Sequence, residues 1–183
     1  TGTVTINYDD VIGCTVVSPT VLNVNVHTLP NATLTGNAAV CQNASSPVIT
    51  FTGSNGTAPY TFTYNVNGGA DQTISTVSGN SVTLAVPTAT TGTFTYTLTA
   101  VTDNNSCDRI LNTNVSIQVN EPAAGTISGD ATVCQNSTAA ITFTATAGTA
   151  PFTFQYNING GGTQSVTTVS GNTVTVAVPT SST

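Results

Sequence analysis

Apolar and polar residues alternate along most of this chain with a period of two, the pattern of strands that bury one face. In "TFTYNVN", Phe62, Tyr64 and Val66 point one way and threonine and asparagine the other. "TFTYTLT" repeats the arrangement with Phe94, Tyr96 and Leu98, "SVTLAV" with Val82, Leu84 and Val86, and "NVSIQV" with Val115, Ile117 and Val119. "VITF" adds Ile49 and Phe51. Between these runs stand "GSNGTAP", "NGGAD", "SGN", "PTATTG" and "DNN". Their Gly, Pro, Asn and Asp residues favour turns. No stretch carries the 3.6-residue period of an amphipathic helix.

The pattern is written more than once. "AVCQNASSPVITFTGSNGTAPYTFTYNVNGG" from Ala39 returns as "TVCQNSTAAITFTATAGTAPFTFQYNINGG" from Thr132. "TVSGNSVTLAVPT" at Thr76 returns as "TVSGNTVTVAVPT" at Thr168, and "TGTVTINY" at Thr1 as "TGTFTYTL" at Thr91. Cys107 follows Cys14, and Cys134 follows Cys41, by 93 positions. Residues 1–28 therefore read as the end of one unit, 29–121 as a complete unit and 122–183 as the beginning of a third. About seven strands in each period predict an all-β fold of tandem immunoglobulin-like sandwiches.

Composition sharpens this picture. Only 4% of the 183 residues are charged, and 38% are hydrophobic, with no Trp and no Met. The polar load falls on Thr, Ser, Asn and Gly; threonine's branched Cβ suits a pleated surface. Arg109 is the one strong base, and the formal charge is −6. Such a surface repels phosphate backbones, so nucleic acid is excluded as a partner. No apolar run approaches the ~20 residues of a membrane-spanning helix, which argues against membrane insertion. The opening "TGTVTINYDD" carries no secretory signal pattern and reads as an internal segment of a longer mature protein.

Candidate chemistry is sparse. Four scattered cysteines do not form the close pairs of a metal site, and disulfides in an oxidising compartment are the favoured reading. Cys41–Cys107 is the favoured pair, leaving Cys14 and Cys134 to partners outside these residues. The alternative is Cys14–Cys41 with Cys107–Cys134. Asp9, Asp10 and Asp103 precede the second cysteine of successive units and are weak Ca²⁺ candidates, because Asp and Asn also dominate ordinary turns. His27, the only imidazole, falls where one unit hands over to the next, and its counterpart one period later is Asn120. No nucleophile–base set can be assembled around it, so neither enzyme activity nor a cofactor is expected. Asn31, Asn43, Asn55, Asn104, Asn114 and Asn136 each begin an Asn-x-Ser/Thr sequon. Tyr60 and Phe152 in the "GTAP" segments offer either sugar-binding rings or core. The Thr-x-Thr runs suggest ice-binding lattices, but twisted strands on a long period do not supply a flat one.

The "VC" ahead of a strand, "GTAPYTFTY", "GTFTYTLTAVTD" and the cysteine after its turn together resemble repeats of Bacteroidota cell-surface proteins. Those are immunoglobulin-like or PKD-like modules of gliding-motility and adhesion proteins, exported by the type IX system. The resemblance covers the whole chain and implies an extracellular, cell-surface, non-catalytic role. The expected function is a stalk or filament segment whose partners are neighbouring repeats of the same chain. Two alternatives stand beside it: repeats that bind surface glycans or other filaments by avidity, and a self-assembling filament with strand exchange.

Overall fold

The computed structural model describes residues 2–6, 12–14 and 20–180. Among them the chain is all-β: β1 (Gly2–Ile6), β2 (Thr20–Val24), β3 (Asn31–Thr35), β4 (Ala38–Cys41), β5 (Val48–Ser54), β6 (Thr61–Val66), β7 (Gln72–Ser75), β8 (Ser81–Ala85), β9 (Gly92–Thr102), β10 (Asp108–Asn120), β11 (Ala124–Ser128), β12 (Thr138–Ala147), β13 (Thr153–Tyr156), β14 (Gln164–Thr167) and β15 (Thr173–Pro179). They divide into two compact units. One comprises Thr1–Asn37, Pro47–Val86 and Phe94–Ile117, the other Ala38–Ser46, Pro87–Thr93 and Gln118–Thr183.

In the first unit the alternation drives two sheets together. β3, β5 and β8 form one, in the order β3-β5-β8, and β6, β7, β9 and β10 belong to the other, in the order β4-β10-β9-β6-β7. Ala32, Leu34, Ile49 and Phe51 from the smaller sheet and Phe62, Tyr64, Leu98, Val115 and Ile117 from the larger are buried. Phe51 bridges the layers, its ring centroid 5.6 Å from Phe62 and 5.2 Å from Tyr64. Tilted rings at such distances add about 0.5–1.5 kcal/mol beyond the area they bury. Between residues 31 and 120 the structure has eight strands, not seven. The extra one arises because the first strand breaks at Gly36 (φ +127°), so that β3 pairs with β5 and β4 with β10. A Cβ at Gly36 would meet the Val48 carbonyl oxygen at 2.5 Å, so only glycine fits this crossing.

The second unit repeats the pairings of the first. Leu34 faces Phe51, and Phe51 faces Val82; one period on, Ile127 faces Phe143, and Phe143 faces Val174. Phe62 opposite Ile74 becomes Phe154 opposite Val166. Phe143 lies 5.4 Å from Phe154 and 5.2 Å from Tyr156, restating the aromatic bridge. Within the described residues, β13 and β14 form a two-stranded sheet, and β11, β12 and β15 a three-stranded one. β1 and β2 also form a two-stranded hairpin of their own.

A buried threonine pins the aromatic residue immediately ahead of β6 and of β13. Tyr60 N–H donates to Thr76 Oγ1 at 2.9 Å, and Thr76 N–H returns a bond to the Tyr60 carbonyl. Phe152 and Thr168 do the same. The Tyr60 ring lies flat on Gly53, where a Cβ would come within 2.5 Å of it. Thr76→Val keeps the shape but strands a buried N–H, which costs about 1–3 kcal/mol. Urea unfolding of the Thr76→Val chain is expected to show that loss in the midpoint, with Thr76→Ser recovering most of it.

Candidate functional site

The most concentrated polar cluster among the described residues is the turn that joins β9 to β10. Asp103 is buried there. Its Oδ1 accepts from the backbone N–H of Asn105 (2.9 Å) and of Cys107 (3.0 Å), and its Oδ2 from the Thr57 N–H (2.9 Å). Asn105 Nδ2 reaches Thr57 Oγ1 at 2.8 Å and Asp103 Oδ2 at 3.5 Å. Asn104 N–H closes the circle on the Thr57 carbonyl at 2.9 Å. Gly56 allows the approach, since a Cβ there would stand 2.8 Å from Asp103 Oδ2.

Every partner offered to this carboxylate is an N–H, so the cluster clamps the "GTAP" loop onto the β9–β10 turn. The Thr57 N–H holds the carboxyl below its ordinary 3.8; burial opposes this, and the Cys107 and Asn105 bonds reinforce it. A Ca²⁺ site needs oxygens converging from several residues. No group of three or more His, Cys, Asp or Glu side chains gathers among the described residues. Asp9 and Asp10 lie outside them. The partners of Asp103 were not visible from its own neighbourhood in the chain: Thr57 is 46 residues away. The recurrence of "GTAP" ahead of each aromatic strand was the available signal.

The placement of the cysteines does not support the favoured Cys41–Cys107 pairing. Cys41 ends β4, and the next residue, Gln42, donates its N–H to the carbonyl of Asn120, the last residue of β10. Cys107 immediately precedes the first residue of the same strand. Thirteen extended residues separate these ends, or ~43 Å at ~3.3 Å per residue. A disulfide needs Cα atoms within ~7 Å. Ends this far apart do not support Cys41–Cys107.

The remaining candidates lie in different settings. His27 is exposed. Tyr60 and Phe152, immediately ahead of β6 and β13, are buried, which takes them away from any exposed sugar platform. Asn43, Asn55 and Asn136 hold left-handed backbone (φ 61°, 64° and 65°), where asparagine is among the few tolerated side chains. Their place in sequons thus coincides with a demand of the turn. A groove of about 470 Å³ opens in the second unit, lined by Ile127, Phe143, Thr149, Pro151, Phe152 and Phe154 among others.

No family model and no curated protein matches the chain. Among solved structures it is similar to a chain described under the words "structural insight into host cell surface retention of a 1.5-MDa bacterial ice-binding adhesin". The two share 14% identity at a TM-score of 0.46, over 85% of this chain and 55% of the other.

A carboxyl whose folded value is depressed stabilises the fold above its unfolded value and loses that contribution as pH falls through the folded one. For Asp103 the loss begins near its ordinary 3.8 and continues below it. Asp103→Asn is expected to lower stability at neutral pH and to flatten the decline below about pH 4, as read by urea unfolding at a series of pH values. An unchanged acid limb would mean that the clamp contributes nothing.

Proposed function

We propose that the chain is a segment of a non-catalytic stalk or filament built from tandem immunoglobulin-like modules in a large secreted bacterial surface adhesin. The observation that carries this reading is the recurrence of register: the same aromatic bridge and the same threonine pin return in the second unit at matching positions. The strand order β3-β5-β8 against β10-β9-β6-β7 supports the immunoglobulin-like assignment. Extracellular placement, Bacteroidota origin, type IX export and a part in gliding motility follow the motif resemblance.

The fate of the polar groups also favours a structural role. Asp103, Thr76 and Thr168 are buried and bonded to backbone, so the distinctive side chains hold loops in place. The outer strand faces carry threonine pairs such as Thr52–Ser81, Thr61–Ser75 and Thr153–Thr167, at 2.9 Å in each case. Cross-strand pairs of this kind contribute about 0.2–1 kcal/mol each. They stiffen a module and leave little charge on its surface.

A stalk keeps distance and does not itself attach. Surface-plasmon measurements of the 183-residue chain, and of tandem arrays with more periods, over a glycan panel are expected to give no saturable response at any length. Saturable attachment that strengthens with the number of periods would replace the stalk by an array that binds through avidity.

A further inference from the structure

The first strand of the complete set β3–β10 grips both sheets. β3 pairs with β5 from Asn31 opposite Ser54 to Thr35 opposite Thr50. After Gly36 the chain crosses over, and β4 lies against β10. These two strands run the same way. Asn37 Oδ1 accepts from Ser116 N–H at 2.7 Å, and farther along both strands the Asn120 carbonyl accepts from Gln42 N–H at 2.7 Å. Just beyond β4, Asn43 N–H donates to the Thr88 carbonyl at 2.9 Å, and Thr88 Oγ1 donates to the Ala44 carbonyl at 2.7 Å. The second unit repeats the crossing. Gly129 (φ +122°) follows β11, a Cβ there would meet the Ala140 carbonyl oxygen at 2.5 Å, and Asn136 N–H donates to the Thr180 carbonyl.

The same strands fix where a pull enters the set and where it leaves. Pro30 stands directly ahead of β3, and Asp103 lies in the turn that leads into β10. Both crowd Gly56, where a Cβ would meet the Pro30 Cβ at 3.0 Å and the Asp103 Cβ at 2.9 Å. The chain therefore enters beside the start of β10 and leaves from its far end, at Asn120, thirteen residues on. A pull between Pro30 and Asn120 draws β4 back toward the entry and β10 toward the exit. Hydrogen bonds between strands lie across the strand axis. Such a pull loads all of them together, whereas a pull across the axis would open them one after another.

We propose that the split first strand is a tension clamp, which holds the module closed when the chain is stretched. β3 on β5 and β4 on β10 resist in shear, and the ties at Thr88 anchor the far end of β4. The crossing at Gly36 is what lets one strand join the entry to the exit strand directly, by way of both sheets. This inference deepens the stalk reading, which supplies the pull; the response to that pull rests on strand geometry alone.

Constant-force tweezers on the 183-residue chain, held by its two ends, test it. Unfolding of the complete set is expected as one abrupt step of roughly 270 Å, the extended length of residues 31–120 at ~3.5 Å each less the folded length of β10. Asn37→Ala removes the bond to Ser116, and Gln42→Pro removes the N–H that reaches Asn120. Asn37 is exposed, so folding of Asn37→Ala is expected to survive. Each variant should shorten the wait before the step about five- to tenfold, the change that one hydrogen bond accounts for. Thr76→Val is the control. It weakens the fold in urea but lies off the path from Pro30 to Asn120, so its wait should stay within about twofold of wild type. Strand variants that wait as long as wild type overturn the proposal, as does a Thr76→Val chain that gives way as fast as they do. A wild-type set that opens in several small steps overturns it as well. Saturable glycan attachment would remove the stalk and leave these waiting times untouched, so the two readings can fall independently.

Discussion

Phe51 touches Phe62 and Tyr64 across the gap between two sheets, and Phe143 touches Phe154 and Tyr156 in the same way. The rest of the structure depends on this contact because so little else is available to hold the layers together. There is no Trp or Met, and no strand buries more than three apolar side chains among the described residues. Aromatic side chains bury the most area of any. Setting them at the centre of each sandwich gives the layers a fixed spacing, around which the smaller Leu, Ile and Val residues pack.

A thin core makes loop geometry matter more. The loops are held by side chains that bond to backbone: Thr76 to Tyr60, Thr168 to Phe152, and Asp103 to the segment that begins at Thr57. Each satisfies a backbone donor that burial would otherwise leave without water. This explains how a protein with 4% charged residues can still use one of its few carboxylates inside the fold. Asp103 is anionic and buried, and the N–H groups around it take the place of solvent. The oxygens of Asp103 are thus given to backbone N–H groups, as a loop clamp uses them.

Repetition of this kind favours the proposed stalk. A module that meets its own needs for hydrogen bonds and core can be strung in series without specialised contacts, which suits a stalk.

The chain by itself determined the class of structure, the inward-facing residues and the turns. Period-two alternation and the Gly, Asn and Pro clusters are local signals, and Phe51, Phe62, Leu98 and Ile117 are buried as their positions in the alternation imply. The repeat was legible for the same reason, since a copied register needs no three-dimensional information to be seen. Pairing partners and end-to-end distances were not legible. The switch of the first strand between sheets at Gly36 depends on the close approach of Val48. The separation of Cys41 from Cys107 depends on β10 running unbroken for thirteen residues between them. The role of Asp103 depends on the Thr57 N–H arriving from 46 residues away. Only tertiary structure decides these three, because each is set by which distant segments meet.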